Sequence, residues 1–322
     1  MQSSPVVSVV SAFYNRARYV NESIGSLLDQ TLREIEIIVV DDGSTDDTAA
    51  ELARIADPRL KPIIQENSGF VTAMNRAVRA SSGRYVAVHG SGDISRPERL
   101  EKQAAFLDAH PEVGAVGCAR NTGARVTGPA GGVLERGSML EVMLKRNPFS
   151  HGEVMFRREL FDRVGGYREV FKFAQDRDLW LRMGQYCDYA VLPDLLYERR
   201  LLENGVTKSP QNFYLQTKLS QFAVQSARRR DAKGRDLLEQ YGPAAFFLSQ
   251  PSRKLSRQLS SMGIRLIRNA EWDGALVLLQ HAWREDRNPY SLAGLFLGKA
   301  GQRKMLQGPI HALFKRLKPR TR

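Results

Sequence analysis

Hydrophobic positions along the first 110 residues change period again and again. "VVSVVSAF" (6–13) is a nearly unbroken β-branched run, the pattern of a strand buried on both faces. "NESIGSLLDQTL" (21–32) then sets Ile24, Leu27, Leu28 and Leu32 on one helical face, with Asn21 as its candidate N-cap. "IEIIVVDDGS" (35–44) is a second strand ending in turn residues, and "DDTAAELARIA" (46–56) a second helix. After "LKPIIQE" (60–66), "SGFVTAMNRAVRAS" (68–81) reads as a third helix closed by Ser82-Gly83. "RYVAVHG" (84–90) is a further strand, and "RPERLEKQAAFLDAH" (96–110) a helix with Pro97 near its first position. Strands and helices alternating at short intervals predict βαβ units and a mostly parallel sheet.

Beyond residue 120 the pattern weakens. "NTGARVTGPAGGVLERGSML" opens a glycine-rich segment, 121–150, that reads as a mobile loop. Structure resumes at "SHGEVMFRRELFDRVGGY" (150–167) and "QDRDLWLRMGQY" (175–186). From about residue 211 the periodicity is wholly helical, and Ile264–Gly301 resembles one helix pair of the tetratricopeptide kind, a pair but not an array. The chain therefore divides into an α/β region, 1–200, and a helical region, 201–322.

Charge sharpens that division. Residues 199–322 hold 24 of the 48 Lys+Arg but 8 of the 35 Asp+Glu, an excess of +16, whereas residues 1–198 come to −3. The basic half suits an anionic surface: membrane, nucleic acid or acidic glycan. Its last stretch, "GPIHALFKRLKPRTR", has Pro309 near a helix start and an apolar stripe of Ile310, Leu313, Phe314 and Leu317. Lys315, Arg316, Lys318, Arg320 and Arg322 lie beside and beyond that stripe. Such a helix either packs on its neighbours or lies against anionic lipid headgroups. With 42% hydrophobic and 26% charged residues the composition is that of an ordinary globular protein. Apolar runs such as Ile35–Val40 are too short to span a membrane, and the N-terminus lacks the basic segment of a signal peptide. Cys118 and Cys187 are isolated, which fits a reducing cytosol and small buried side chains.

Candidate chemistry sits at the strand ends. Asp41 and Asp42 close the second strand, where a carboxylate accepts base-edge N–H donors, and the turn at Ala12 and Tyr14 can line a nucleoside. Read alone, Asp-Asp-Gly-Ser is equally a tight turn with an Asx hydrogen bond. In "QDRDLWLRM", Asp176 shares a helical face with Leu179, Trp180 and Met183, while Asp178 points elsewhere. The blocks "VSVVSAFYN", "IIVVDDGSTDDT", "QENSGFVTAMNRAV", "GRYVAVHGSGDISRPERLEKQ", "SHGEVMFRR" and "QDRDLWLRM" follow one another in the order and spacing of a known family. Over residues 6–200 the chain resembles the inverting, nucleotide-sugar-dependent glycosyltransferases of family 2, which have the GT-A fold: a Rossmann-like, mostly parallel sheet flanked by helices.

The resemblance implies roles residue by residue. Asp42, with Asp41 beside it, falls on the base-binding aspartate, and Ala12 and Tyr14 line the nucleoside. Asp176 falls on the catalytic base, which takes the acceptor hydroxyl's proton. His151 and Gln175 fall beside the acceptor, and Glu153 replaces a small residue there. The family's Asp-x-Asp, whose last carboxylate binds a divalent cation, falls on Gly90-Ser91-Gly92, so both carboxylates are missing. Ser91 and Gly92 are then expected at the nucleotide diphosphate. Asp93 survives one place on and is the candidate ligand for Mg²⁺ or Mn²⁺, with His89 favouring Mn²⁺. Alternatively, Gly90 and Gly92 let backbone N–H groups approach the diphosphate with no metal. The implied activity is transfer from a nucleotide-sugar, a UDP-sugar foremost, to a glycan or lipid-linked acceptor in surface-polysaccharide biosynthesis. The implied location is the cytoplasm, peripheral to the inner membrane face, with the anionic membrane rather than nucleic acid as partner of the C-terminal helix. The rivals are a catalytically silent relative and a basic interaction protein that uses the sheet as a scaffold.

Overall fold

The computed structural model describes residues 5–123, 125–201 and 209–316. The chain forms two compact units, Met1–Leu202 and Glu203–Arg322. The first runs β1 (Val7–Phe13), α1 (Val20–Leu28), β2 (Ile35–Asp42), α2 (Thr48–Arg54), β3 (Leu60–Gln65) and α3 (Phe70–Arg79). It continues through β4 (Tyr85–Val88), β5 (Ile94–Ser95), α4 (Arg99–Ala109), β6 (Val113–Asn121), β7 (Val126–Thr127), β8 (Glu135–Ser138) and α5 (Met139–Lys145). It ends with β9 (Met155–Arg157), α6 (Arg158–Arg163), α7 (Gln175–Met183) and β10 (Asp188–Glu198).

These strands make one sheet in the order β3-β2-β1-β4-β9-β6-β10-β5, with β7 on β6 and β8 on β10. β3, β2, β1 and β4 are parallel to one another, β9 is antiparallel to both its neighbours, and β6 and β10 are parallel. Every residue of β1, β2 and β4 is buried, which is why these strands read as unbroken apolar runs rather than alternating ones. Register sets Phe13 of β1 opposite Asp41 of β2, so Tyr14 and Asp42 emerge together at the carboxyl edge. At the other end of the sheet Tyr197 and Glu198 of β10 pair with Ser95 and Ile94 of β5, bringing the chain after β4 against the end of β10.

Three local expectations are corrected. α1 starts at Val20 directly from a short 3₁₀ turn, with Tyr19 rather than Asn21 at the N-cap, and Asn21 instead donates to Glu51. α4 starts at Arg99, two residues after Pro97, whose carbonyl accepts from the Thr31 N–H. Segment 121–150 is not a plain loop. β8 pairs antiparallel with β10, and Ser138 caps α5, which buries Met139 and Met143. These elements are too short for their period to stand out from the surrounding glycines.

The second unit comprises α8 (Pro210–Arg228), α9 (Leu237–Tyr241), α10 (Arg253–Arg268), α11 (Trp272–Glu285), α12 (Pro289–Gly301) and α13 (Lys304–Arg316). Its core joins Leu255, Leu259 and Ile267 of α10 to Trp272, Leu278, Leu279 and Ala282 of α11. The Ile264–Gly301 stretch is thus part of a succession of three helices, not a single pair. Pro309 lies inside α13 instead of at its start, and Ile310 packs on the α10–α11 core. The side chains of Leu313 to Arg322, which carry most of the basic stripe, lie outside the described residues. Among the described residues no helix is long and apolar enough to cross a membrane.

Candidate donor and acceptor site

The carboxyl ends of β1, β2 and β4 form one wall of the site. Asp42 is buried, and its carboxylate fastens the loop that enters α3. Oδ1 accepts from the Ser68 N–H at 2.9 Å and from Gln65 at 2.6 Å, and Oδ2 accepts from the Gly69 N–H at 2.9 Å. Asp41 is equally buried and accepts from the N–H and hydroxyl of Ser44. Ser44 accepts in turn from the Asn15 N–H, and Asn15, at a φ of +53°, accepts from the Thr45 N–H. The turn after β1 and the turn after β2 are therefore sewn together. Ala12 is buried and the Tyr14 ring is half-exposed at their edge.

The residues expected at the acceptor lie on α7 and the chain before β9. Leu179, Trp180 and Met183 are fully buried and anchor α7, so its first turn is fixed. Asp178 and Arg182 form a buried pair at 2.8 Å, a separate face from that of Asp176. Asp176 is half-buried and its Oδ2 accepts from Asn147 at 3.0 Å. Nε2 of His151 and the hydroxyl of Tyr167 are hydrogen-bonded at 2.7 Å, and the Asp176 charge acts on both. Burial pulls the His151 imidazole below its usual pKa, and the Asp176 carboxylate opposes that. Gln175 opens α7 next to Asp176 and is half-buried.

Two contacts tie these groups of residues together. Gly69, which donates to Asp42, is followed by Phe70, whose ring meets His151 edge-on with centroids 5.8 Å apart. Gly152 lies so close to Tyr197 that a Cβ there would overlap the tyrosine hydroxyl and stand 3.1 Å from Oδ2 of Asp93. Glu153, expected beside the acceptor, is fully buried instead. It pairs with Arg120 at 3.0 Å and caps its own turn through the Ser150 N–H, and burial pushes its carboxyl up to about 7.

The segment after β4 departs most from expectation. His89 is enclosed: Nε2 is 3.0 Å from the Ser23 hydroxyl and Nδ1 is 3.3 Å from the Ser95 hydroxyl. Ser23 donates to the Asp93 carbonyl, so Nε2 is the nitrogen that carries the proton, and Nδ1 accepts from Ser95. Burial, reinforced by the cation of Arg99, lowers this imidazole to about 3 and keeps it neutral. Asp93 is engaged at both oxygens. Oδ2 accepts from the Tyr197 hydroxyl at 2.7 Å and Oδ1 from the Arg200 N–H at 2.9 Å. The same Tyr197 hydroxyl accepts from the Gly90 N–H at 2.9 Å. Burial raises the Asp93 carboxyl above the usual carboxylate range, against the pull of these donors.

These residues do not fit a divalent cation. The lone pair that His89 would offer is taken by Ser95, and both oxygens of the Asp93 carboxylate face inward, to Tyr197 and Arg200. A Cβ at Gly90 would overlap that carboxylate, so a side chain there requires Asp93 to move. Among the described residues no three His, Cys, Asp or Glu side chains gather as a metal site. Asp93 and His89, expected as ligands, instead hold the loop's shape. Gly92 is buried at a φ of +101° and packs on the ring of Tyr19, with half-buried Ser91 before it.

Comparison with known proteins agrees with this architecture. The family model described as "Glycosyl transferase family 2" matches residues 8–165. The putative glycosyltransferase EpsE of Bacillus subtilis is 36% identical over 192 residues, covering 56% of this chain and 68% of that protein. The amylovoran biosynthesis glycosyltransferase AmsE of Erwinia amylovora is 28% identical, covering 69% of this chain and 86% of that one. Among solved structures, S. aureus TarS 1-349 in complex with UDP-GlcNAc aligns with a TM-score of 0.59 at 21% identity, over 98% of this chain and 93% of that one. The mannosyltransferase PcManGT of Pyrobaculum calidifontis, in complex with GDP-Man and Mn²⁺, aligns with a TM-score of 0.57 at 21% identity, over 99% and 89%. On this sheet, these strand-end carboxylates and this likeness, the chain belongs to glycosyl transferase family 2, with the GT-A fold and a helical C-terminal unit.

Proposed function

We propose that this chain transfers a sugar from a nucleotide-sugar to a glycan or lipid-linked acceptor in surface-polysaccharide biosynthesis, with inversion at the anomeric carbon. A UDP-sugar is the foremost donor and dTDP- and GDP-sugars are the alternatives; solved neighbours carry UDP-GlcNAc and GDP-Man. The amylovoran biosynthesis relative supports the polysaccharide setting, and the basic excess of residues 199–322 supports an anionic partner, acidic glycan or membrane surface.

One observation carries the reading: Asp176, on the first turn of a helix anchored by its buried face, is held at one oxygen by Asn147, and no other described residue is seen to bond its side chain. The other oxygen is the base. As the acceptor hydroxyl attacks the anomeric carbon, its proton passes to Asp176, the new C–O bond forms, and the bond to the diphosphate oxygen breaks on the opposite face. A single in-line displacement inverts the anomeric centre. Ala12, Tyr14 and Asp42 hold the nucleoside, Asp41 stiffens their turn, and Ser91 and Gly92 border the diphosphate. His151 and Gln175 border the acceptor.

A second reading, a catalytically silent relative that binds nucleotide, is favoured by Gly90 and Gly92 standing where the resemblance implies carboxylates. Incubating the protein with UDP-, dTDP- and GDP-sugars and lipid-linked acceptors, and reading product anomers by NMR, separates the readings. An inverted product, lost in Asp176→Asn, is the expected outcome. Nucleotide binding without transfer favours the silent relative, and neither binding nor transfer favours an interaction protein.

A further inference from the structure

The missing carboxylates alter the electrostatics of the donor site as much as its ligand set. An Asp-x-Asp loop brings two negative charges toward a diphosphate, and a divalent cation is then needed to reconcile them. In this chain both positions are glycine, and the surviving carboxylate of Asp93 faces inward to Tyr197 and Arg200. The loop therefore presents the diphosphate with no opposing charge, and a single fixed cation is enough to hold it.

Arg200 is placed to be that cation. Its backbone N–H donates to Asp93, tying it to the loop, and its guanidinium lies 5.6 Å from the centroid of the Tyr19 ring. That ring is the one on which Gly92 packs: a Cβ at Gly92 would stand 3.3 Å from it. The guanidinium is thus beside the position of the missing carboxylate. Its present partner is Glu22, whose side chain is 61% exposed. An exposed pair of this kind is weak and exchanges readily for a phosphate, which also offers bidentate geometry.

We propose that this chain binds the diphosphate of its donor without a divalent cation, with the Arg200 guanidinium in the cation's stead. This rests on the nucleotide-sugar reading above. The test is calorimetry on the full chain with UDP, dTDP and GDP, each in EDTA, in Mg²⁺ and in Mn²⁺, and with uridine as a probe lacking phosphate. The affinity of the best nucleotide should agree within about two-fold across the three conditions, since no metal–phosphate contact is lost. Arg200→Gln should weaken the diphosphate by about ten-fold or more and leave uridine unchanged, because a charged hydrogen bond is removed from the phosphate alone. The backbone bond to Asp93 survives that substitution, so the fold is kept. Glu22→Gln breaks the same ion pair but should not weaken binding, which separates a phosphate contact from a structural one. Loss of affinity in EDTA that Mn²⁺ restores, or equal weakening in Glu22→Gln and Arg200→Gln, overturns the proposal. Failure of every nucleotide to bind in any condition overturns the nucleotide-sugar reading itself.

Discussion

Asn147 donates to one oxygen of Asp176 and so fixes the direction in which the other faces. In the proposed mechanism Asp176 is the base, and its position depends on this tether. Asn147→Ala should lower kcat by about ten-fold while leaving nucleotide affinity and KM for the donor near wild type, since the lost bond orients only the base. Steady-state kinetics beside calorimetry decide it; a rise in KM with kcat unchanged would make Asn147 a binding residue. Much of this scale was readable from the chain. Asp41, Asp42 and Asp176 stand at a strand end and at a helix's first turn, places that local pattern predicts, while their roles rest on the family resemblance. Asn147 was not readable, because it lies in a segment without clear period. Tyr197 was not either: it meets Asp93 from 104 residues away, and nothing local announces that contact. The surroundings of His89 and Asp93 were not readable for a related reason. Residue type suggests a ligand, but only packing reveals that His89 gives its Nε2 proton to Ser23 and its Nδ1 lone pair to Ser95, and that the Asp93 oxygens face Tyr197 and Arg200.

At the scale of elements, β1, β2, β4 and the helices between them follow directly from hydrophobic period, and they put the strand ends where a ligand is met in an open α/β sheet. The order of the outer strands does not follow. β9 enters between β4 and β6, and β10 pairs with both β6 and β5, pairings that depend on long-range register. The β4 end illustrates what such packing costs. His89 is enclosed among Ser23, Ser95 and Tyr197, with Arg99 bonded to the same Ser95 hydroxyl and Asp93 following in the loop. Its imidazole is held at about 3, whereas the unfolded chain takes up that proton near the ordinary histidine value of 6.5. Between those values the unfolded state binds the extra proton, so stability falls as pH drops below about 6.5, by about 1.4 kcal/mol per pH unit. Glu153, held at about 7, works in the opposite sense, favouring the folded state as pH falls from about 7 toward the ordinary carboxylate value. The His89 contribution is therefore read as a difference. Urea unfolding of wild type and His89→Gln at several pH values should show the variant losing less stability on acidification. Parallel pH profiles would mean that His89 titrates normally.

Across the whole molecule, the charge division follows the division into two units, with the +16 excess of residues 199–322 almost all in the helical one. That excess is not confined to the tail: Arg253, Arg257 and Arg287 line a cavity of about 780 Å³ beside the start of α12. Ile310 packs on the helical core, so α13 has a structural share as well as a basic one. Replacing Lys315, Arg316, Lys318, Arg320 and Arg322 together by Gln leaves Ile310 itself unchanged and removes the charge. If the basic end meets an anionic surface, binding to phosphatidylserine vesicles should weaken by at least about ten-fold without vanishing, with soluble donor turnover unchanged. Unchanged vesicle binding would remove the membrane from the account.

The central claim is that Asp176 accepts the proton in a single inverting displacement. Single-turnover transfer by Asp176→Asn, with the nucleotide-sugar that the wild type consumes, tests it most directly. The substitution keeps the shape and the neighbouring Asn147 while removing the ability to take a proton. The account predicts a rate at least about 10²-fold below wild type with nucleotide affinity essentially unchanged. Transfer at the wild-type rate, or a wild-type product that retains the donor's anomeric configuration, would contradict it.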